Sequence, residues 1–362
     1  MRQEAPDLDR VAETADLHSV REGYPLWLVS SGVGLLAGAV VWTFLSAGNP
    51  TPGALAVAGL LLAAAAAVVV GVAASRIGSW LIPMALIGFA AMLWVQDPAG
   101  TLSTQPLSGP LGYANANGAF FAQASIAGLM LLAGRVPIPL RVLGGGAAVA
   151  FALVPFATAS YAAGILLVVL GPLAVAAWRP RVARLLVAGF GALFVAALAA
   201  TILIGALFSP MRDRSGSLDR LVDATISERR GVLWHESLAL TRLYPITGFG
   251  PGSFAAVSPT ARADADARWA HHGFLQQGVE GGIPAFGLLV LLFLWGFVAL
   301  WLHPAPDRVT ALGAVALAAL GIQACIDYTL HFPAVPVAAA ALVGVALAVR
   351  RTRSHADRHA GP

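Results

Sequence analysis

Residues 53–74 read GALAVAGLLLAAAAAVVVGVAA, a stretch without any charged side chain. As an α-helix it is long enough to cross the hydrocarbon core of a bilayer, which takes about 20 apolar residues. The whole chain has this character, since 58% of its 362 residues are hydrophobic, 11% are charged and the mean hydropathy is +0.78. A soluble domain of this composition would expose large apolar patches. The sequence therefore predicts an all-α integral membrane protein.

Similar apolar stretches recur along the chain and predict about ten transmembrane helices by the same length criterion. Their approximate extents are 26–47, 53–74, 77–95, 118–134, 138–157, 160–178, 185–209, 283–302, 309–327 and 334–349. None of them has an ionisable residue well inside it. Ion-coupled transporters usually need such groups along their pathway, so the pattern favours chemistry at the membrane surface.

The placement of arginine, the only basic residue type besides histidine, predicts the orientation of the chain. Short loops that contain arginine alternate with short loops that lack it, and both termini are basic. Because cytoplasmic loops retain arginine, both termini are expected inside, with an even number of spans between them. The predicted parts are a cytoplasmic tail (1–25), spans 1–7 (26–209), an extracytoplasmic loop (210–282), spans 8–10 (283–349) and a cytoplasmic tail (350–362).

Two classes of function are disfavoured by charge and cysteine content. The 22 basic and 18 acidic residues leave a modest net charge of +4, and the arginines fall between apolar stretches instead of on one soluble face. This distribution argues against a nucleic-acid partner. The single cysteine, Cys325, excludes an intrachain disulfide and a multi-cysteine metal site.

The predicted outer loop contains ATISERRGVLWHESLALTRLYP (224–245), which is typical of a helix. Thr225 and Glu228 have the spacing of a capping box. Arg230 and Trp234 are four residues apart, so guanidinium and indole would share one surface. Two interpretations stay open: the helix lies on the membrane with solvated arginines, or Arg229 or Arg230 binds a phosphate through its bidentate guanidinium.

The next stretch, PITGFGPGSF (245–254), is rich in glycine and proline. It lacks the Gly-Lys-Ser/Thr ending of a nucleotide-binding loop. We therefore expect a tight turn that brings two helices together.

The stretch WAHHGFLQQGVEGGIP (269–284) places two histidines and a glutamate directly before an apolar run. A helix from about 268 to 280 would align His272 with Gln276 and Glu280, and would place His271 on another side. A neutral imidazole at the membrane surface can act as a general base or simply anchor the chain at the interface. Both roles remain open on the residues alone.

Taken in order, these motifs resemble the O-antigen ligase and O-antigen polymerase-like family of polytopic membrane glycosyltransferases, and the predicted architecture is GT-C-like. GYANANGAFF (112–121) and DYTLHFP (327–333) are similar to two further motifs of that family. The positions that carry the resemblance are Asn115, Asn117, Arg230, Trp234, Pro245, Gly248, Gly250, His271, Glu280, Gly282, Asp327 and Pro333.

Two positions depart from the family pattern. The family usually has Ser-Arg at the outer start of a middle span, with the arginine implicated in diphosphate binding, whereas Ser160 is followed here by Tyr161. Either Arg212 or Arg214 substitutes for it, or diphosphate binding is altered, or the protein has drifted from the activity. His272 stands where the family prefers asparagine, so the resemblance favours His271 as the base and leaves His272 second.

The resemblance implies transfer of a glycan from a polyprenyl diphosphate carrier to an acceptor hydroxyl, on the outer face of the cytoplasmic membrane, without a metal or other cofactor. The implied partners are the lipid-linked glycan donor, a glycan, lipid or protein acceptor, and membrane lipids. Catalytic candidates are His271, His272 and Glu280. Candidates for substrate binding are Arg212, Arg214, Arg229, Arg230, Trp234, Asn115, Asn117 and Asp327. The alternatives are a polymerase of the same family, or a permease-type or non-catalytic envelope protein.

Overall fold

The computed structural model describes residues 23–105, 107–208, 228–264 and 267–348, and the regular elements within these ranges are all helical. The long helices are α1 (Leu26–Ala47), α2 (Pro52–Ile77), α3 (Leu81–Gln96), α5 (Ala114–Ala133), α6 (Ile138–Ala157), α7 (Tyr161–Val175), α8 (Pro180–Leu207), α9 (Glu228–Leu243), α12 (Gly273–Trp301), α13 (Arg308–Ile326) and α14 (Ala334–Leu347). The short ones are α4 (Pro98–Thr101), α10 (Phe254–Val257), α11 (Pro259–Ala263) and a 3₁₀ turn (Thr329–His331).

The predicted all-α membrane architecture is confirmed. Within the described ranges seven helices, namely α1, α2, α5, α6, α8, α12 and α13, are long and apolar enough to cross a membrane. The three shorter apolar helices, α3, α7 and α14, have 16, 15 and 14 residues. Each predicted apolar segment corresponds to one of these helices. The number that cross the bilayer stays a prediction.

Helices α5 and α13 form the centre of the bundle, with 83% of each span buried. By contrast, α1 and α2 are only 17% and 11% buried, and they carry exposed Val and Leu side chains such as Val33 and Leu62. In a bilayer such outward apolar side chains meet lipid tails, so an exposed apolar belt is the expected surface. Residues at the ends of α5 and α13 are therefore held on the most enclosed helices.

Small residues allow neighbouring helices to approach closely. A Cβ added to Gly128 in α5 would lie 2.5 Å from the carbonyl oxygen of Gly144 in α6. Likewise, a Cβ on Gly71 in α2 would lie 2.4 Å from the carbonyl oxygen of Ala341 in α14. Van der Waals packing drives helix association in lipid, which explains why glycine occupies these contacts.

A second, smaller core joins α9–α11 to the start of α12. It is formed by Leu233, Phe254, Ala261, Ala267, Ala270 and Val279. The carboxylate of Glu236 on α9 strengthens this unit, because it accepts hydrogen bonds from the hydroxyls of Ser258 and Thr260 at 2.5 and 2.6 Å. The described part of the segment between α8 and α12 is thus packed onto one end of the bundle.

The two ends of the bundle can be told apart by the residues that lie there. Tyr24, just before α1, packs edge-on against His303 at 6.0 Å, and Ala348, just after α14, lies beside the same histidine. Both ends of the described chain therefore lie at one end of the bundle, the His303 end. Helix α13 runs from there to Asp327 at the other end, which we call the Asp327 end.

Candidate active site

Asp327 lies at the centre of a polar cluster at the end of α13, where it is only 4% exposed. Its carboxylate accepts hydrogen bonds from the hydroxyl of Tyr113 at 2.9 Å and from Nδ2 of Asn115 at 2.5 Å. It also accepts the backbone N–H of Tyr328 at 2.8 Å. A buried carboxylate needs such donors, because an unpaired charge in a low-dielectric surrounding is strongly unfavourable.

Two further partners come from the segment that precedes α12. Arg230 on α9 places Nη2 at 3.2 Å from Oδ2 of Asp327, and His271 places Nδ1 at 3.2 Å from Oδ1. We call Tyr113, Asn115, Arg230, His271 and Asp327 the Asp327 cluster. The fold thus unites four of the residues singled out in the sequence, which stand in four separate motifs.

The charges of the Asp327 cluster are determined by its geometry. Burial raises the pKa of Asp327, but the hydrogen bond from His271 and the positive charge of Arg230 outweigh it, so the pKa lies below its ordinary value. The ionised carboxylate can only accept, so Nδ1 of His271 carries the proton of their hydrogen bond. In a neutral imidazole this leaves a lone pair on Nε2. The side chains of His271 and Arg230 are 15% and 28% exposed, so both can be reached.

The backbone of His271 has an unusual conformation. Its φ is +49°, in the left-handed region that non-glycine residues seldom adopt and that is enriched at functional sites. The indole Nε1 of Trp234 donates to the carbonyl oxygen of His271 at 3.1 Å and helps to hold this conformation. The ring of Tyr328 packs edge-on against the imidazole at 4.8 Å.

His272 has a different surrounding from its neighbour. It is the N-cap of α12, fully buried, with Nδ1 accepting the backbone N–H of Leu275 at 3.2 Å and Nε2 lying 2.9 Å from the hydroxyl of Thr201. Burial lowers the pKa of His272 to about 3, so the ring is neutral. Both ring nitrogens are engaged, which gives this residue a capping role. The predicted helix from 268 to 280 is wrong, because α12 begins only at Gly273.

Trp234 and Arg229 also lie in surroundings that the sequence did not predict. The shared outer surface predicted for Arg230 and Trp234 is not formed, because Trp234 is completely buried against Gly205 of α8. Its contribution is the hydrogen bond to His271. Arg229 is half exposed and forms an ion pair with Asp264 at the end of α11.

Glu280 is buried in α12, apart from the Asp327 cluster. Its carboxylate accepts Nε2 of Gln276 at 2.9 Å and also interacts with the backbone N–H groups of Gly252 and Phe254. The predicted pairing with His272 is not seen, since that histidine bonds to Thr201 instead. Glu280 therefore joins α12 to the glycine-rich stretch.

Residues 245–254 form the tight turn expected from their sequence. Its backbone is joined to α12 by hydrogen bonds from Phe249 N–H to the Val279 carbonyl at 2.9 Å and from Gly250 N–H to the Glu280 carbonyl at 2.8 Å. Gly282, with φ +71°, breaks the helical geometry of α12 and would bring a Cβ within 2.1 Å of the Ile246 carbonyl oxygen. Close backbone contact therefore requires glycine at residue 282, whereas at residue 250 glycine is favoured by its φ of +96°.

The remaining positions singled out in the sequence are Asn117, Tyr161, Arg212, Arg214 and Thr225. Asn117 is buried and holds the preceding loop, because its side chain accepts Leu111 N–H at 3.0 Å and donates to the Ser108 carbonyl at 2.8 Å. Tyr161, at the position of the family arginine, is 58% exposed. Arg212, Arg214 and Thr225 lie outside the described residues.

Aromatic residues around the Asp327 cluster were not identified as candidates in the sequence. Tyr113 stacks on Tyr328 at 4.6 Å, and half-buried Trp269 lies 4.2 Å from the ring of His331. The sequence alone gave only part of the evidence for these residues. Tyr113 and Tyr328 lie within two residues of Asn115 and Asp327, respectively. However, aromatic rings at the ends of membrane helices are also common anchors. Only the packing distinguishes the two roles.

Comparison with protein families adds an independent observation. The O-antigen ligase family model matches residues 146–290. This segment is similar to an O-antigen ligase domain. The resemblance inferred from the motifs is confirmed, and the matched segment contains Arg230, His271 and Glu280. No curated protein matches the chain. Asn115 and Asp327 flank the matched segment, so the Asp327 cluster is completed by helices on both sides of it.

Proposed function

We propose that this protein is a membrane glycosyltransferase of the O-antigen ligase type. It transfers a glycan from a polyprenyl diphosphate carrier to an acceptor hydroxyl in cell-surface polysaccharide biosynthesis. The observation that carries the proposal is the partly exposed His271, whose Nδ1 is engaged by buried Asp327 beside Arg230. An O-antigen ligase domain around two of these residues supports it.

His271 is the proposed general base. With Nδ1–H donated to Asp327, Nε2 accepts the proton of the acceptor hydroxyl. The hydroxyl oxygen attacks the anomeric carbon, and the bond from that carbon to the phosphate oxygen breaks with its electron pair leaving on the diphosphate. Attack from the opposite face inverts the anomeric centre. Positioned general bases contribute about 10²–10⁴-fold in rate.

Arg230 is the proposed electrostatic partner of the leaving group. One guanidinium nitrogen bonds to Asp327, and a guanidinium carries five N–H donors, so others remain for phosphate oxygens. Charge that grows on the diphosphate is stabilised by such preorganised donors. Arg212, Arg214 and Arg229 remain candidates for the same task, since half-exposed Arg229 pairs with Asp264 through one guanidinium nitrogen and keeps further donors.

Asp327 is a positioning residue in this scheme, as are Asn115 and Trp234. Asp327 fixes the tautomer of His271, Asn115 holds the carboxylate, and Trp234 holds the histidine backbone. Glu280 contributes through the glycine-rich turn. Half-buried Trp269, beside His331, offers an aromatic face to a sugar ring.

The proposed orientation has the Asp327 end outside. The described arginines at the His303 end stand in the short connections between helices or in the adjoining helix ends, and both ends of the described chain meet there. These are Arg76, Arg135, Arg141, Arg179, Arg181, Arg184 and Arg308. Short cytoplasmic loops retain arginine, which supports a cytoplasmic His303 end in the inner membrane. Lipid-linked glycan would then be used on the outer leaflet.

The test compares the two neighbouring histidines in the full-length protein. Purified His271→Ala and His272→Asn variants are reconstituted with a polyprenyl diphosphate glycan and an acceptor glycan, and released polyprenyl diphosphate is measured. His271→Ala should lose about 10²–10⁴-fold in rate. His272→Asn should retain wild-type transfer, because asparagine is a good N-cap. Undiminished transfer by His271→Ala would overturn the base assignment.

The acceptor distinguishes ligase from polymerase. In cells that lack the protein, we expect the lipid-linked glycan to accumulate on the outer leaflet. Accumulation on the inner leaflet alone would instead indicate a permease. Products in which a second copy of the donor glycan is the acceptor would identify the polymerase alternative.

A further inference from the structure

The His303 end of the bundle contains a cavity that the proposed transfer reaction does not use. Its volume is about 370 Å³, within the range of small-ligand sites. It lies among the end of α5, the start of α6, the end of α7 and the start of α13. Its charged and aromatic lining consists of Arg135, Arg141, Trp178, Asp307 and Arg308.

The lining carries an excess of positive charge. Three arginines face one carboxylate, and Oδ1 of Asp307 is already occupied because it caps α13 through the backbone N–H groups of Val309 and Thr310. Within the described parts of the chain, none of the three arginines forms an ion pair. Arg141 donates to the carbonyl oxygen of Leu132 at 3.3 Å, a contact that supplies no full negative charge. Like charges that line one cavity without a counter-ion repel each other, so an anion in the cavity would be stabilised.

The position of the cavity identifies the source of the anion. Helix α13 starts at the cavity and ends at Asp327, and its 19 residues extend over about 28 Å at roughly 1.5 Å per residue. This is close to the thickness of the hydrocarbon core, so the cavity lies at the membrane interface opposite the Asp327 cluster. Lipid phosphates occupy that level.

The rim of the cavity has the character of a lipid-facing surface. Trp178 is 79% exposed, and the guanidinium of Arg308 lies over its ring at 5.7 Å from the centroid. Ile138, which lies in the chain between the lining residues Val136 and Arg141, is 73% exposed. An exposed tryptophan beside arginines at a helix end is typical of the headgroup region of a bilayer.

We propose that this cavity binds the phosphate headgroup of an anionic phospholipid in the leaflet opposite the Asp327 cluster. Arg135, Arg141 and Arg308 contact the phosphate oxygens, and Trp178 lies against the glycerol and upper acyl chain. Basic pockets between membrane helices recognise anionic headgroups in this way. The site is separate from glycan transfer, so its failure leaves the proposed function untouched.

The test uses full-length protein in mixed micelles of phosphatidylglycerol and phosphatidylcholine, with the bound lipids counted by native mass spectrometry. The wild type should prefer phosphatidylglycerol, and R135Q/R141Q/R308Q should lose that preference about tenfold or more. The matched control is R76Q/R179Q/R181Q, which removes the same charge from exposed arginines at the same end, outside the cavity. The control should keep the preference.

Two results would overturn the proposal. One is an equal loss of preference in both triple variants, which would indicate general attraction by surface charge. The other is evidence that the cavity binds free phosphate instead of a lipid. In that case inorganic phosphate would raise the melting temperature of the wild type but not of R135Q/R141Q/R308Q, and the wild type would show no preference for phosphatidylglycerol. Should the triple variant not fold, Arg135→Gln and Arg308→Gln are measured singly, and an unchanged preference in both rejects the site.

Discussion

Two buried carboxylates at the same end of the bundle have opposite surroundings. Asp327 is 4% exposed and Glu280 is 2% exposed, and both belong to motifs that the family resemblance marks. Asp327 is bonded to Arg230 and His271, two groups that reach the surface. Glu280 is bonded to the amide of Gln276 and to backbone N–H groups of the glycine-rich turn.

The partners of a buried carboxylate indicate whether it acts on the proposed site or on the packing of the chain. A carboxylate whose donors can themselves meet a substrate determines how those donors are charged and oriented. A carboxylate whose donors are a side-chain amide and backbone N–H groups, as for Glu280, holds segments of the chain together. The same distinction applies to His271 and His272, since one ring is partly exposed and the other is enclosed with both nitrogens engaged.

The largest expected effect comes from Asp327→Asn. The amide still fills the space but no longer fixes the tautomer of His271 or balances Arg230, so transfer should fall about 10²–10⁴-fold. The rate of polyprenyl diphosphate release by reconstituted protein measures it, and the melting temperature in detergent is the control for folding. A folded variant with near wild-type rate would remove Asp327 from the proposed site.

The next largest effect is expected for the stability of the protein at acidic pH, through His272. Its folded pKa of about 3 lies below the ordinary value of about 6.5, so the unfolded chain binds the extra proton between these values. Stability should therefore be complete above pH 6.5 and decline as the pH falls, by about 2 kcal/mol, roughly 30-fold in the folding equilibrium, at pH 5.

Thermal unfolding of wild type and His272→Asn at pH 7 and pH 5 measures this decline. The variant should lose less stability on acidification, because asparagine does not titrate. His303 and His331, whose pKa values are also lowered by burial, contribute equally to both proteins. Identical declines in the two proteins would contradict the assignment of His272 as a neutral buried cap.

A smaller effect is expected for Arg230→Lys. Lysine keeps the charge but loses the planar fork that serves Asp327 and phosphate together, so transfer should fall about tenfold. Arg242→Lys on the same helix is the matched control and should leave the rate unchanged. Equal rates of transfer in both variants would indicate that the side chain of Arg230 has no part in the reaction.

The smallest effect is expected for Glu280→Gln. Glutamine retains an oxygen that accepts hydrogen bonds from Gln276 and from the turn. The rate of transfer should therefore change by less than about threefold, which corresponds to the free energy of about one ordinary hydrogen bond. The same transfer assay checks this beside Asp327→Asn. If Glu280→Gln were as inactive as Asp327→Asn, the two carboxylates would share a chemical role and the comparison would fail.

Much of the fold could be read from the sequence because lipid imposes a simple rule. A segment that must satisfy its backbone without water becomes a helix, so apolar length alone predicted the positions of the long helices. The turn at residues 245–254 was also predictable, since glycine and proline have strong local preferences. Where the prediction failed, at the start of α12, a local pattern of fours suggested a helix that the left-handed backbone of His271 prevents.

The sequence by itself determined the membrane class, the helical segments and the family, because these depend on composition and on short motifs. Only the tertiary structure decided that His271 lies with Asp327 while His272 and Glu280 are enclosed, and that Trp234 supports the site from within. The reason is distance along the chain. Asn115 and Asp327 meet through packing of α5 and α13, and no local pattern encodes a contact between residues so far apart.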